Sequence, residues 1–208
     1  KRLAAAVAAF AALFGIVVGV EILIALRREY LPTTPVLDVR GTFGPDDAEP
    51  LSFVVLGDST AAGVGAGEVE NAYPVLLARR LAEEQNRRVT LTSLGISGAR
   101  VGTVLAEQVP LVAAAQPDLV FVAIGANDVT HLTSLDKVHL EMSLLIDALQ
   151  STGAVVVVAG PPDMRAAAWL EPLRSLAGWR GRQVAETIET AATERGVVVV
   201  PLASDAAP

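Results

Sequence analysis

From Leu3 to Val20 eighteen consecutive positions carry no charge, and after Glu21 the stretch Ile22-Leu23-Ile24-Ala25-Leu26 completes an apolar span of 24 positions. As a helix rising ~1.5 Å per residue, that span reaches ~36 Å, enough to cross a ~30 Å hydrocarbon core with some tilt. A cleaved signal peptide is the competing reading, because Lys1-Arg2 gives a charged start and the run is rich in alanine. The run exceeds the ~7–15 residues of a usual signal core, and no small-x-small site follows it before Arg27-Arg28, so a membrane helix is the expectation. Glu21 is costly deep in lipid and is expected near an interface or against a partner helix, with no functional role.

Beyond this span the pattern changes. Leu31 to Pro50 holds four prolines, two glycines and the pair Asp46-Asp47, which reads as a tether. Short apolar runs then alternate with helical stretches. Strands are predicted at Leu51–Leu56, Val89–Leu94, Asp118–Ile124, Ala154–Ala159 and Val197–Leu202, several of them nearly unbroken Val, Leu and Ile, as strands covered on both faces must be. Helices are predicted near Tyr73–Asn86, Val101–Ala115 and Ser134–Gln150, with a fourth in Leu170–Arg195 that Pro172, Gly178 and Gly181 should break, so that it starts near Arg182. The expected fold is a three-layer α/β/α domain around a five-stranded parallel sheet, preceded by an N-terminal transmembrane helix. The organisation is an anchor over residues 1–30, a tether over 31–50 and a catalytic-type domain over 51–208.

In such sheets ligands bind at the carboxyl ends of the strands, near the point where strand order reverses. Those ends carry Gly57-Asp58-Ser59, Gly95 to Gly98, Gly125 to Asp128, Gly160 to Asp163 and Ser204-Asp205, so every candidate motif falls on one rim. A serine where a buried strand meets a glycine-rich turn suits a nucleophile, which needs exposure, a base, and donors for the oxyanion it creates. Gly63-Val64-Gly65-Ala66-Gly67 lacks dinucleotide-fingerprint spacing and no Gly-Lys-Ser/Thr follows it; Gly57-x-Ser59-x-Ala61 falls short of the Gly-x-Ser-x-Gly elbow. Ordinary roles compete at each position: Ser59 as a helix cap, Gly98 as a chain turn, Asn127 as a turn residue, and Asp58 and Asp128 as holders of backbone amides.

Three blocks in order carry a resemblance. Gly57-Asp58-Ser59, Ser93-Leu94-Gly95-Ile96-Ser97-Gly98 and Gly125-Ala126-Asn127-Asp128 resemble the nucleophile, glycine and Gly-x-Asn-Asp blocks of the SGNH hydrolases, the GDSL esterase and lipase superfamily. The likeness covers about residues 51 to 205 and implies the flavodoxin-like SGNH fold. It implies Ser59 as nucleophile, with the backbone N–H groups of Ser59 and Gly98 and the Asn127 side-chain amide as oxyanion donors; Gly95 is the alternative to Gly98. No metal or organic cofactor is implied. The family's fourth block, an Asp-x-x-His that supplies base and orienting carboxylate, is absent through Pro208, and it is expected in a longer protein of which this sequence is a part.

Only two histidines are present. His131 lies four residues after Asn127 but matches no family position, and His139 reads as a surface residue of a helix. Asp163 and Arg165 could line a pocket or simply cap their loop.

Composition adds two constraints. The 52% hydrophobic content and mean hydropathy of +0.48 exceed those of an ordinary soluble domain and fit the anchor. Of 16 basic and 23 acidic side chains, four and two lie in residues 1–30, which leaves the remainder twelve basic and twenty-one acidic, a net of −9. Such a domain repels a phosphate backbone, so nucleic acid is not an expected partner, and a neutral small-molecule or lipid ester is. The absence of cysteine excludes disulfides and thiol chemistry. Basic residues flank the apolar span almost evenly, and a leading helix with little before it points to an extracytoplasmic domain. The reading is a membrane-anchored serine ester hydrolase. An O-acyltransferase on a sugar or lipid hydroxyl, or an inactive SGNH binding module, remains as an alternative.

Overall fold

The computed structural model of the chain describes residues 2–27, 37–165 and 169–202. Six strands form one sheet: β1 (Arg40–Phe43), β2 (Pro50–Gly57), β3 (Arg88–Ser93), β4 (Leu119–Ala123), β5 (Val155–Ala159) and β6 (Val198–Val200), in the order β1-β3-β2-β4-β5-β6. All neighbours are parallel except β1, which pairs antiparallel with β3 in the register Arg40↔Thr92 to Phe43↔Val89. The expected five-stranded parallel sheet is therefore corrected to a six-stranded mixed one. The added strand, Arg-Gly-Thr-Phe, comes from the segment whose prolines and glycines read as a tether. Its backbone partners lie some fifty residues on, so no local pattern announces it.

The helices are α1 (Arg2–Leu26), α2 (Tyr73–Gln85), α3 (Val101–Ala115), α4 (Ala126–Thr130), α5 (Leu135–Gln150) and α6 (Leu173–Thr193). Along β2 successive side chains point to opposite faces. Val54 and Leu56 join Val120, Val122, Val156 and Val158 beneath α3, α5 and α6, with Met142, Leu145, Ile146, Leu149 and Ile188 filling that layer. Leu51, Phe53 and Val55 face the other way with Val89 and Leu91, under Val75, Ala78 and Ala82 of α2. That second face is open over β5 and β6, where Val155 and Val198 are 60% and 59% exposed.

One helix prediction is also corrected. Gly178 and Gly181 do not break α6, which runs from Leu173 through both. They are contact glycines: a Cβ on Gly178 would stand 2.4 Å from Arg165 Cγ, and one on Gly181 2.7 Å from Met164 Cγ, so the loop after β5 lies directly on the helix.

The first helix is long and apolar enough to cross a membrane from Arg2 to Ile24, a property it shares with signal sequences. Glu21, almost fully buried, lies against the domain: the Leu173 N–H at the start of α6 donates to its Oε2 at 2.9 Å. A carboxylate at a helix N-terminus meets unpaired N–H groups and the positive end of the helix dipole. The chain runs from β2 to β3 on one side and then to β4 on the other, so strand order reverses between β2 and β4, whose last residues Gly57 and Ala123 lie side by side.

Candidate active site

At that reversal point the chain leaves β2 through Gly57 into a series of turns. Glycine is required there by close approach: a Cβ would stand 2.4 Å from the Ala123 carbonyl oxygen. The turn that follows is fixed by Asp58, whose Oδ1 accepts from the Thr60 N–H at 2.9 Å and from its hydroxyl at 2.8 Å, while its carbonyl accepts from Ala62 N–H at 3.1 Å. Asp58 is buried; Ser59, next to it, is half-buried in a turn and caps no helix.

The glycine block is laid against this turn. The Ile96 N–H donates to the Gly57 carbonyl at 3.1 Å and the Ser93 hydroxyl to the Ala61 carbonyl at 2.7 Å. At Gly95 a Cβ would stand 2.4 Å from Ala62 N and 2.6 Å from Ala61 C, so packing against the serine turn dictates that glycine. Gly98 is glycine for another reason. Its φ of +80° sits at the third position of the Ile96–Ala99 turn, closed by the Ala99 N–H to the Ile96 carbonyl, and nothing lies within 4 Å of where its Cβ would be. Among the described residues no acceptor takes the N–H of Ser59 or of Gly98.

The third block fastens the chain just beyond Gly98. Asn127, half-buried on α4, donates from Nδ2 to the Ala99 carbonyl at 2.8 Å. The neighbouring Asp128, fully buried, accepts the Val101 N–H on Oδ2 at 3.0 Å and so caps α3. Its Oδ1 has no hydrogen-bond partner among the described residues. Burial pushes the Asp128 carboxyl above its ordinary range, against the pull of the Val101 N–H.

A further residue completes the frame. Gln108, fully buried, accepts the Gly57 N–H on Oε1 at 2.9 Å and donates Nε2 to the Gly57 carbonyl at 2.7 Å. One amide thus holds both backbone polar groups of Gly57, the residue that precedes the serine turn. It projects from a widened π segment, Val104–Gln108, inside α3. Pro110 offers no N–H to the preceding turn and its ring crowds the carbonyl four residues back, a physical reason for the widening. The sequence reading passed over Gln108, although a signal existed: the buried positions Val101, Val104, Gln108 and Val112 form one helical stripe, and a lone amide on an apolar stripe needs a partner.

The remaining candidates lie apart from this constellation. His131 is exposed, with Nδ1 at 2.8 Å from the Asn127 carbonyl of its own turn. His139 pairs through Nε2 with Glu194 at 3.1 Å. Neither histidine hydrogen-bonds Ser59 among the described residues. Asp163 and Arg165 pair with each other, Nε lying 2.9 Å from Oδ2, and the guanidinium holds the Asp163 carboxyl down at about 2. Burial, helped by the Asp58 carboxylate, pushes the Tyr73 phenol up, so it stays protonated at neutral pH. Ser204-Asp205 lies outside the described residues. Among the described residues no group of three His, Asp or Glu side chains is placed to hold a metal ion.

The arrangement offers a half-buried hydroxyl, two unspent backbone donors and a side-chain amide on one rim, which suits an acyl-transfer transition state. A family model described as GDSL-like lipase/acylhydrolase matches residues 55–208. A GDSL-like esterase of Mycobacterium tuberculosis is 36% identical over 160 residues, 76% of this chain and 51% of that protein. An arylesterase of Vibrio mimicus is 34% identical over 106 residues, 51% of this chain and 52% of its own length. The chain spans about half the length of these curated relatives. Among solved structures, TesA superposes with a TM-score of 0.60 at 22% identity, over 71% of this chain and 76% of that one. Esterase EstA from Pseudoalteromonas sp. gives 0.55 at 19%, over 72% and 76%. At these identities the structural likeness is one of fold.

Proposed function

Because this chain belongs to the GDSL-like lipase/acylhydrolase family, we propose that it is a serine ester hydrolase, held at a membrane by α1 and acting on carboxylic esters. The observation that carries the reading is the interlocking of the three blocks: Gln108 fixes the peptide before the serine turn, and Asn127 and Asp128 fix the backbone just after Gly98.

In this mechanism the Ser59 Oγ attacks the ester carbonyl carbon and the carbonyl oxygen becomes an oxyanion. The N–H groups of Ser59 and Gly98 and one N–H of the Asn127 amide donate to it; the other N–H of that amide stays on Ala99. Collapse of the tetrahedral intermediate breaks the C–O bond to the alcohol, which leaves with a proton, and the acyl group remains on Ser59. Water then attacks the acyl-enzyme and releases the acid. The proton needs a general base; neither histidine hydrogen-bonds Ser59 among the described residues, and the family resemblance calls for a histidine oriented by an aspartate in that role. An exposed apolar surface on α1 and the tie from Glu21 to α6 support the anchor.

The decisive experiment treats the full-length protein with a fluorophosphonate and maps the adduct by mass spectrometry. A single adduct on Ser59 is expected; an adduct on another residue, or none, overturns the reading.

A further inference from the structure

Both tryptophans of the chain, Trp169 and Trp179, stand in the wall of one cavity of about 510 Å³ between α1 and the start of α6. Val18 and Ile22 of α1 form a second wall, and Val129 of α4 belongs to the lining too. Apart from Thr130 and Arg180 the lining is apolar, and Arg180 donates to the Thr133 carbonyl. The volume lies within the roughly 300–1,000 Å³ of small-molecule sites.

Three observations specify the occupant. The first is length. Beside the buried Glu21, Val20, Ile22, Leu23 and Ile24 stay 49%, 42%, 58% and 39% exposed, so the apolar surface of α1 runs on to Ile24, ~34 Å at ~1.5 Å per residue against a hydrocarbon core of ~30 Å. A span that long carries lipid up to Val18 and Ile22, the helix residues that line the cavity, so the cavity wall lies at the bilayer boundary. The second is the character of that face. Leu132, Trp179 and Leu170 are 74%, 55% and 53% exposed there, and tryptophan favours the membrane–water interface. The third is position. Val129 and Thr130 follow Asn127 by two and three residues on α4, so the lining begins within one turn, ~5.4 Å of rise, of the amide assigned to the oxyanion.

We propose that this cavity is the acyl-chain site of the enzyme: it receives the hydrocarbon tail of a bilayer-resident carboxylic ester directly from the lipid, with the anchor helix as one of its walls. The assignment rests on the hydrolase and anchor readings above. α1 is then part of the specificity of the enzyme as well as its attachment.

The test uses the full-length protein in phosphatidylcholine nanodiscs. The ratio of kcat/KM for p-nitrophenyl octanoate to that for p-nitrophenyl acetate is measured for wild type and for Ala177→Phe, which fills the cavity. The ratio is expected to fall at least tenfold in Ala177→Phe, where the longer chain no longer fits while partition into the nanodisc is the same for both proteins; an unchanged ratio overturns the assignment. A second readout needs neither catalysis nor a variant: a phospholipid with a diazirine near the end of its acyl chain is photolysed in the nanodisc and the adducts are mapped. Adducts on Leu176 and Trp179 of α6 support the cavity, whereas adducts confined to outward positions of α1 such as Leu13 and Ile16 overturn it. If the wild type hydrolyses neither ester yet α6 is labelled, the hydrolase reading fails and the lipid-chain site stands.

Discussion

The two sides of the rim are fastened by different chemistry. On the nucleophile side a neutral amide, Gln108, meets both polar groups of Gly57, and each of its own polar ends finds a partner. On the donor side a buried carboxylate, Asp128, meets one N–H and leaves its second oxygen unpaired. A neutral amide with both ends satisfied is cheap to bury and indifferent to pH, while a charged carboxylate in the same core is costly and titrates. The difference teaches that the serine turn is held by a group that does not titrate, and the backbone beyond Gly98 by a carboxyl that burial shifts upward.

The largest expected effect comes from Ser59, the proposed nucleophile. Ser59→Ala in the full-length protein should abolish hydrolysis of short p-nitrophenyl esters with an unchanged circular dichroism spectrum; turnover within tenfold of wild type would remove Ser59 from the mechanism. On the donor side, Asn127→Ala should lower kcat by ~10²-fold with KM little changed, since an oxyanion donor acts on the transition state. A change in KM alone would place Asn127 in ground-state binding.

The frames themselves come next. Gln108→Leu strands the Gly57 N–H in a dry core at a cost of about 1–3 kcal/mol, ~2–12 °C in Tm for a chain of this size. Gln108→Glu accepts the N–H but as a carboxylate sets its second oxygen against the Gly57 carbonyl, so it should recover the loss in thermal denaturation at acid pH, where a protonated carboxyl can donate to that carbonyl, and give it up as the pH rises. The smallest effect is expected for Asp128→Asn, where only the charge is removed. Burial raises the Asp128 pKa in the folded chain, so its stabilising contribution is complete below the ordinary value of 3.8 and is lost as pH rises through the raised value. Asparagine can still accept the Val101 N–H and resembles the protonated state. Its Tm should therefore exceed that of wild type at alkaline pH, and the gap should close as the pH falls toward the acid side. A gap that widens on acidification would mean that the carboxylate charge stabilises the fold.

The strands that built the rim were legible because each is a run of Val, Leu and Ile between turn residues, and the three motifs announced themselves at their ends. Less legible was whatever depends on partners far along the chain. β1 is four residues with a glycine and no alternation, and only β3 makes it a strand. Gly178 and Gly181 read as breakers because a sequence does not say which atoms pass close to a helix; here Arg165 and Met164 do. Glu21 read as an isolated charge in an apolar span, and its partner, the N–H of Leu173, lies 152 residues away. Of the frame, Asp128 was readable as a holder of a backbone amide, while its partner Val101 and the whole role of Gln108 were not, because no local pattern encodes hydrogen bonds to Val101 and Gly57.

The antiparallel β1 has a consequence for how copies of this chain behave toward one another. Without it, β3 would end the sheet and offer six residues of free backbone to any strand that approached. β1 covers that edge and replaces it with four residues that include the charged Arg40 and a glycine, and the opposite edge is closed by a strand of only three residues, β6. Short, charged edges are poor templates for recruiting another chain. β1 gives this sheet a margin against edge-to-edge assembly and the aggregation that follows from it.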